Sequence, residues 1–239
     1  MKTLVTLLVA SAVALSASSA MAEPGQWYIG VGAGHSNYND WTSKSDMINF
    51  RDAFGSRVGV VSFTGTESTD VEDTASGYKL FGGYAFDKKI AGEKIAVEYS
   101  YIHMGKVGAN SRASGTFYDP VNNSVTGDLF ATASARIDAL TLDAKLNVPI
   151  TSFAALMVKA GVYTADTKLK LHAGSDISTE TYSYSDTTNS TGLHYGMGVD
   201  FRMTAAIGLR AEWERLDHIE ANGGRSDVDL LSASLIYSF

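Results

Sequence analysis

Apolar and polar side chains alternate one for one along most of this chain. In WYIGVGAGHS, Trp27, Ile29, Val31 and Ala33 alternate with Tyr28, Gly30, Gly32 and Gly34. A period of two places successive side chains on opposite faces of an extended strand. GYKLFGGYAF sets Tyr78, Leu80, Gly82, Tyr84 and Phe86 against Lys79, Phe81, Gly83 and Ala85, and KIAVEYSYIHM sets Ile95, Val97, Tyr99 and Tyr101 against Ala96, Glu98 and Ser100. LTLDAKLNV sets Leu140, Leu142, Ala144, Leu146 and Val148 against Thr141, Asp143, Lys145 and Asn147. AALMVKAGVYT, GLHYGMGVDFRM, IGLRAEWERL and the terminal LLSASLIYSF repeat the scheme, which makes eight strands. Each is near the ~9–11 residues that cross a bilayer obliquely.

Alternation alone does not say which face is outside, and a lipocalin-like soluble barrel has the same period with its apolar face inward. Three features favour apolar-out. Aromatics sit near strand ends on the apolar face, at Trp27, Tyr101, Phe201, Trp213, Tyr237 and Phe239, as interfacial girdles do. The other face mixes glycine with both signs of charge, which suits a narrow lumen where charges pair. Connections alternate between tight ones (DKKIAGEK, PITS, MTAA) and long polar ones at 37–76, 105–135, 166–191 and 217–226. Tight turns at one rim and long loops at the other describe an eight-stranded antiparallel up-and-down transmembrane β-barrel with four long extracellular loops. Such a barrel closes by pairing its last strand with its first, which accounts for a chain that ends in a strand.

Composition places that barrel. Met1 and Lys2 precede the apolar run LVTLLVASAVAL, and SASSAMA carries Ala20 and Ala22 at the positions signal peptidase reads. Residues 1–22 thus read as a cleaved leader and 23–239 as one barrel domain beginning at Glu23. The chain has no cysteine, so an exported protein here forgoes disulfides, as suits a bacterial envelope. Beyond the leader no apolar stretch approaches the ~20 residues of a membrane helix. A net charge of −7 argues against nucleic acid.

With these elements in order, the chain resembles the small OmpA-type bacterial outer-membrane β-barrels. WYIGVGAGHSNYND is similar to that family's first strand and loop start, LFGGYAF to its second strand, and LTLDAKLNVPIT to its fourth strand and periplasmic turn. YTADTK resembles the end of its fifth strand, GVDFRMTAAIGLRAEWE its sixth-to-seventh hairpin and LSASLIYSF its last strand. Residues 37–76 and 111–129 depart from its pattern, and the peptidoglycan-binding domain of its longest members is not carried over beyond Phe239. The resemblance implies a lumen network of acids and bases, carried by motif onto Glu98, Lys145, Asp200 and Arg210. The alternation independently turns these four inward, with Lys79, Asp143, Lys159, Arg202, Glu212 and Glu214. Pairing of Glu98 with Arg210 and of Lys145 with Asp200 is expected. Tyr237 and Phe239 resemble the family's terminal signal for the outer-membrane assembly machinery.

Catalytic and metal chemistry find little support in the sequence. His35 and Ser36 in GHSN bring to mind lipid-A deacylases, but adjacent strand residues point to opposite faces, which denies a His–Ser couple. His35, His103, His172, His194 and His218 stand singly without ligand spacing, so no metal and no cofactor is expected. Of these, only His194 is turned inward. Asp70, Glu72 and Asp73 read as solvated loop charge.

The expected function is a monomeric, non-enzymatic outer-membrane protein, set in lipid and lipopolysaccharide, with a structural role and a loop-mediated surface role of the adhesion or colonisation type. Residues 42–73 and the segment DISTETYSYSDTTNST are the candidate contact loops for a host or surface ligand. A narrow ion-conducting pore gated by lumen salt bridges is the alternative, and a lipid-modifying enzyme is a third reading.

Overall fold

The computed structural model describes residues 25–239 apart from 40, 91–92, 120–122 and 222–223, with backbone alone at 87–90, 93–94, 119, 123, 221 and 224. The leader reading of residues 1–22 lies outside the described residues. The elements are β1 (Gln26–Tyr38), α1 (Lys44–Arg57), β2 (Ser62–Val71), β3 (Thr74–Ile90), β4 (Glu93–Asp119), β5 (Asn123–Pro149), β6 (Ala154–Ser175), β7 (Thr181–Arg202), β8 (Ile207–Ala221) and β9 (Gly224–Ser238). Pairing runs β4–β3–β1–β9–β8–β7–β6–β5 and closes through β4–β5, an antiparallel ring of eight strands.

The ring turns its apolar alternation outward. Leu142 is 52% exposed while its neighbour Asp143 is 1% exposed, and Trp27 is 59% exposed against 3% for Tyr28. Ile29, Val31, Leu80, Tyr99, Val162, Leu193, Met197, Leu231 and Leu235 join the exposed set. A continuous belt of this kind is tolerable only in lipid. This excludes the soluble apolar-in barrel, whose core would be the side chains found here on the outside.

Closure depends on the terminal strand. β9 pairs with β8 on one side and with β1 on the other, from Tyr28↔Ser238 to Tyr38↔Val228. The Phe239 N–H donates to the Trp27 carbonyl at 3.0 Å, so the ladder is satisfied to the last residue. Small residues make the narrow bore possible: Phe81 lies opposite Gly30, and Tyr28 opposite Gly83. A Cβ at Gly30 would fall 2.1 Å from Phe81 Cζ, and one at Gly83 2.3 Å from the Tyr28 hydroxyl.

Above the membrane the structure departs from the loop expectation. β4 and β5 each run for 27 residues and β6 and β7 for 22, so stretches read as polar loops are mostly paired strand. The composition misleads because Ser and Thr on both faces of 105–135 and 181–191 break the apolar alternation once lipid no longer demands it. β2 pairs with the upper half of β4, from Ser62↔Tyr118 to Val71↔Ala109, and β3 continues along the same edge below a bulge between His103 and Lys106. There Gly105 takes a φ of 80°. The β7–β8 pairing stops at His194↔Leu216, whereas β6–β7 continues to Gly174↔Thr181. The wall therefore opens into a five-stranded sheet, β2–β4–β5–β6–β7.

Within the first long connection, the β-rich alternation of SRVGVVSFTG taken alone reads as a hairpin that extends the barrel above the membrane. The structure instead ends α1 at Arg57 and begins β2 at Ser62. Ser43 caps α1 by accepting from the Asp46 N–H at 3.2 Å, and the Asp46 carboxylate accepts from the Ser43 N–H at 3.0 Å. Met47, Arg51, Phe54 and Gly55 form its buried face. Met47 and Phe54 pack on the inner face of the extended sheet against Ala109, Ala113, Phe117, Leu129, Ala131 and Ala173. Full burial of such side chains stabilises by about 1.5–3 kcal/mol each, and alanines beneath them let the helix approach closely.

Candidate functional site

Two features could carry function: the charged lumen and the extracellular helix-on-sheet. Inward positions of six strands build the lumen network: Lys79 from β3, Glu98 from β4, Asp143 and Lys145 from β5, Lys159 from β6, His194 and Asp200 from β7, and Arg210, Glu212 and Glu214 from β8. All are buried.

The contacts form one connected chain. Arg210 bonds Glu98 at 2.8 Å through Nη1 and Asp200 at 2.6 Å through Nε. Lys145 reaches Asp200 at 3.3 Å. The Tyr28 hydroxyl donates to Glu98 at 3.0 Å, and Lys159 lies 3.4 Å from the other Glu98 oxygen. Lys159 continues to Glu212 at 3.1 Å and to Glu214, while Lys79 bonds Glu214 at 2.8 Å and also Glu212. His194 Nδ1 lies 2.7 Å from Asp143, which also accepts from the Thr141 hydroxyl at 2.9 Å. Aromatic faces shield the cations: Arg210 and Lys79 lie over Phe81 at 4.7 and 4.8 Å, and Lys145 over Tyr28 at 4.7 Å. A network with each charge partnered is tolerable in a low-dielectric bore; removal of one partner from such a site costs about 3–5 kcal/mol.

Arg202 does not join this network. The alternation assigns it to the lumen, but it is exposed at the periplasmic end of β7, paired in register with Gly208 next to the 203–206 turn. It is the last residue of β7, so its side chain sits at the rim where solvent reaches it. Arg202 instead borders a cavity of about 130 Å³ at the periplasmic mouth, whose inner end is Lys145, Asp200 and Arg210.

The outer end of the lumen is closed by apolar side chains. Tyr38, Ile102, Met104, Val107, Ile137, Leu216, Ile219 and Leu230 form a buried cluster across the bore. The Tyr38 hydroxyl donates to the Gly105 carbonyl at 3.0 Å and Tyr163 to the Asp217 carbonyl at 2.8 Å, so the phenols leave no unpaired oxygen inside. The sequence signal for this layer was a second inward apolar set near the ends of the strands, hidden among stretches read as loop.

Nucleophile–base geometry is not found at the GHSN motif: His35 is exposed on the outer wall while Ser36 is buried and donates to the Met104 and Ala75 carbonyls. A His–Ser contact does occur between His172 Nδ1 and the Ser183 hydroxyl, 2.9 Å across β6 and β7. Among the described residues no carboxylate pairs with His172 to orient it. The hairpin of β8 and β9 brings together Asp217, His218 and Asp227, with one donor atom from each within 4.8 Å of the others, a grouping the sequence spacing did not suggest. Its donors are partly engaged with one another, His218 Nδ1 with Asp217 at 2.8 Å and the His218 N–H with Asp227 at 3.0 Å.

On the extracellular sheet, Arg51 is the buried polar anchor of α1. Its guanidinium bonds Asp52 at 2.7 Å, Glu67 of β2 at 3.2 Å and the Ser111 hydroxyl of β4 at 3.4 Å.

The chain matches a family model described as the outer membrane protein beta-barrel domain over residues 5–239. A search of curated proteins finds no match. Among solved structures it is similar to Ail, the attachment invasion locus protein of Yersinia pestis, at 15% identity and a TM-score of 0.42, covering 90% of this chain and 99% of that one. It is also similar to Neisserial surface protein A (12% identity, TM-score 0.43, 89% and 97% covered) and to OprG of Pseudomonas aeruginosa (12%, 0.45, 91% and 98%). By its family match and its closed ring of eight strands, the chain belongs to the OmpA-type family of outer-membrane β-barrel proteins.

Proposed function

We propose that this protein is a monomeric, non-enzymatic outer-membrane platform that presents a fixed extracellular surface for adhesion-type contacts. It is exported by the leader at residues 1–22 and inserted by the assembly machinery through its terminal Tyr237 and Phe239. The observation that carries this reading is α1 packed on the extended sheet and anchored by Arg51. Order of this kind outside the membrane serves presentation, because a rigid surface loses less entropy on binding than a mobile loop. The filled lumen beneath it acts as a stable core.

The test is adhesion of a non-adherent host strain expressing either the natural chain or a deletion of residues 42–73 to epithelial monolayers and matrix-coated plates. The deletion is expected to abolish adhesion while the unheated protein keeps its distinct mobility in SDS. Unchanged adhesion with an intact barrel would remove α1 and β2 as the contact surface.

Regulated conduction is the second reading, supported by the periplasmic cavity that ends on Arg210 and Asp200. The apolar layer above the network opposes it.

A further inference from the structure

We propose that the outer wall of β4, β5 and β6 is a docking track for a phosphorylated glycolipid of the surrounding outer leaflet. It rests on placement in the outer membrane and is independent of the adhesion reading. Three zones follow one another up the same strands. The lowest is a trough on the lipid-facing side bordered by Tyr99, Leu140, Leu142, Val162 and Leu193. Above it, Asp138 and Asp166 face each other across β5 and β6. Asp138 holds His103 and the Tyr101 hydroxyl at 2.6 and 2.9 Å, and Asp166 accepts from the Asn189 amide at 3.0 Å.

Above these comes a basic row: Lys106 lies opposite Arg136, which lies opposite Lys168, and Lys170 stands in the next row beside Ser134. All four are exposed. Like charges placed directly across strands destabilise a sheet, and this chain carries a net charge of −7. Arg136 bonds Asp138 at 3.0 Å, while Lys106, Lys168 and Lys170 make no ion pair among the described residues. Small side chains at Gly108, Thr132 and Ser134 floor a depression beside Lys106 and Lys170, with Glu72 at its edge.

From Leu142 to Ser134 the track spans about 26 Å at the rise of a strand. Its order, apolar, then hydroxyl-accepting carboxylate, then cation, matches acyl chain, sugar and phosphate of one amphiphile. The cations point sideways from the wall toward neighbouring lipid, and phosphate is a good partner for such a lysine and arginine group. A soluble polyanion would use the basic row but leave the trough without purpose.

The test uses the full mature chain in detergent and native mass spectrometry, with diphosphoryl lipid A, its dephosphorylated form with the same acyl chains, and soluble heparin as probes. The natural chain is expected to retain diphosphoryl lipid A about tenfold or more over the dephosphorylated form. The triple variant K106Q/K168Q/K170Q should lose that preference, the triple Lys→Arg variant should keep it, and Thr164→Trp, placed in the trough, should lower retention of both lipids. Retention of distinct unheated mobility in SDS identifies the folded variants. Equal retention of the two lipids by the natural chain, or an unchanged preference in the Gln variant, would overturn the proposal. So would heparin binding that requires the three lysines together with lipid binding that ignores them.

Discussion

Arg210 on β8 holds the carboxylate of Glu98 on β4 at 2.8 Å across the lumen, although 112 residues separate them and their strands are not paired in the sheet. The contact spans the bore, so it ties opposite walls together and blocks the space between them. Its loss leaves Arg210 with Asp200 and a longer contact to Glu212 at 4.0 Å, and Lys159 with one fewer acceptor. Glu98→Ala is expected to destabilise the barrel by about 3–5 kcal/mol, read as a lower urea midpoint for the heat-modifiable band in lipid vesicles. A midpoint equal to that of the natural chain would show that water already solvates the network.

Conductance should depend on two layers rather than one. Charge reversal at Glu98 or Arg210 alone is expected to leave planar bilayers silent, because the apolar layer containing Leu216 and Leu230 still closes the outer end. Openings should emerge only when Leu216 and Leu230 are also cut back to glycine. Steady openings in the natural chain would sink the closed-lumen reading and restore the pore.

Arg51 should control the extracellular surface without touching the barrel. Arg51→Ala removes the bonds to Glu67 and Ser111, charge-assisted contacts that contribute about 1.5–3 kcal/mol each. Limited proteolysis of intact cells should then cut within residues 42–61 faster than in the natural chain, with unheated mobility unchanged. Equal cutting rates would mean that the apolar contacts of Met47 and Phe54 alone hold the helix.

Acid should loosen the start of α1. The Ser43 hydroxyl and backbone N–H bond the Asp46 carboxylate at 2.7 and 3.0 Å and hold its pKa below the usual carboxylate value. A depressed folded pKa means that the contribution is present at neutral pH and is lost as pH falls through that depressed value. Helical chemical shifts over residues 44–50 should weaken between about pH 6 and about pH 2. In Ser43→Ala that pH dependence should largely vanish; persistence of the full change would assign it to another group.

The last prediction concerns assembly. Phe239 stacks with Tyr237 at 6.1 Å on the outer face, and its N–H closes the ladder onto Trp27. Phe239→Asp should slow insertion in cells, seen as accumulation of full-length protein outside the membrane fraction. It should alter refolding of purified chain into detergent far less, since the backbone bond survives.

The strand period, the outward apolar face and the inward placement of Lys79, Glu98, Asp143, Lys145, Lys159, Asp200, Arg210, Glu212 and Glu214 were all legible in the sequence. Lipid on one side and a narrow bore on the other impose a two-residue period that each strand carries locally. Arg202 marks where the lumen ends: it is the last paired residue of β7, and at the periplasmic rim its side chain meets solvent rather than the network. Above the membrane the same local signal fades, since water accepts polar groups on either face and strand continuation there depends on the neighbouring strand. Residues 44–57 read only as loop, because an arginine in the stripe of Met47 and Phe54 concealed a helix that only the alanine-lined sheet makes worth forming. Which acid meets which base across the bore, the apolar layer above them and the basic row of Lys106, Arg136 and Lys168 are consequences of register. Register joins residues far apart in the chain, so tertiary structure alone decided them.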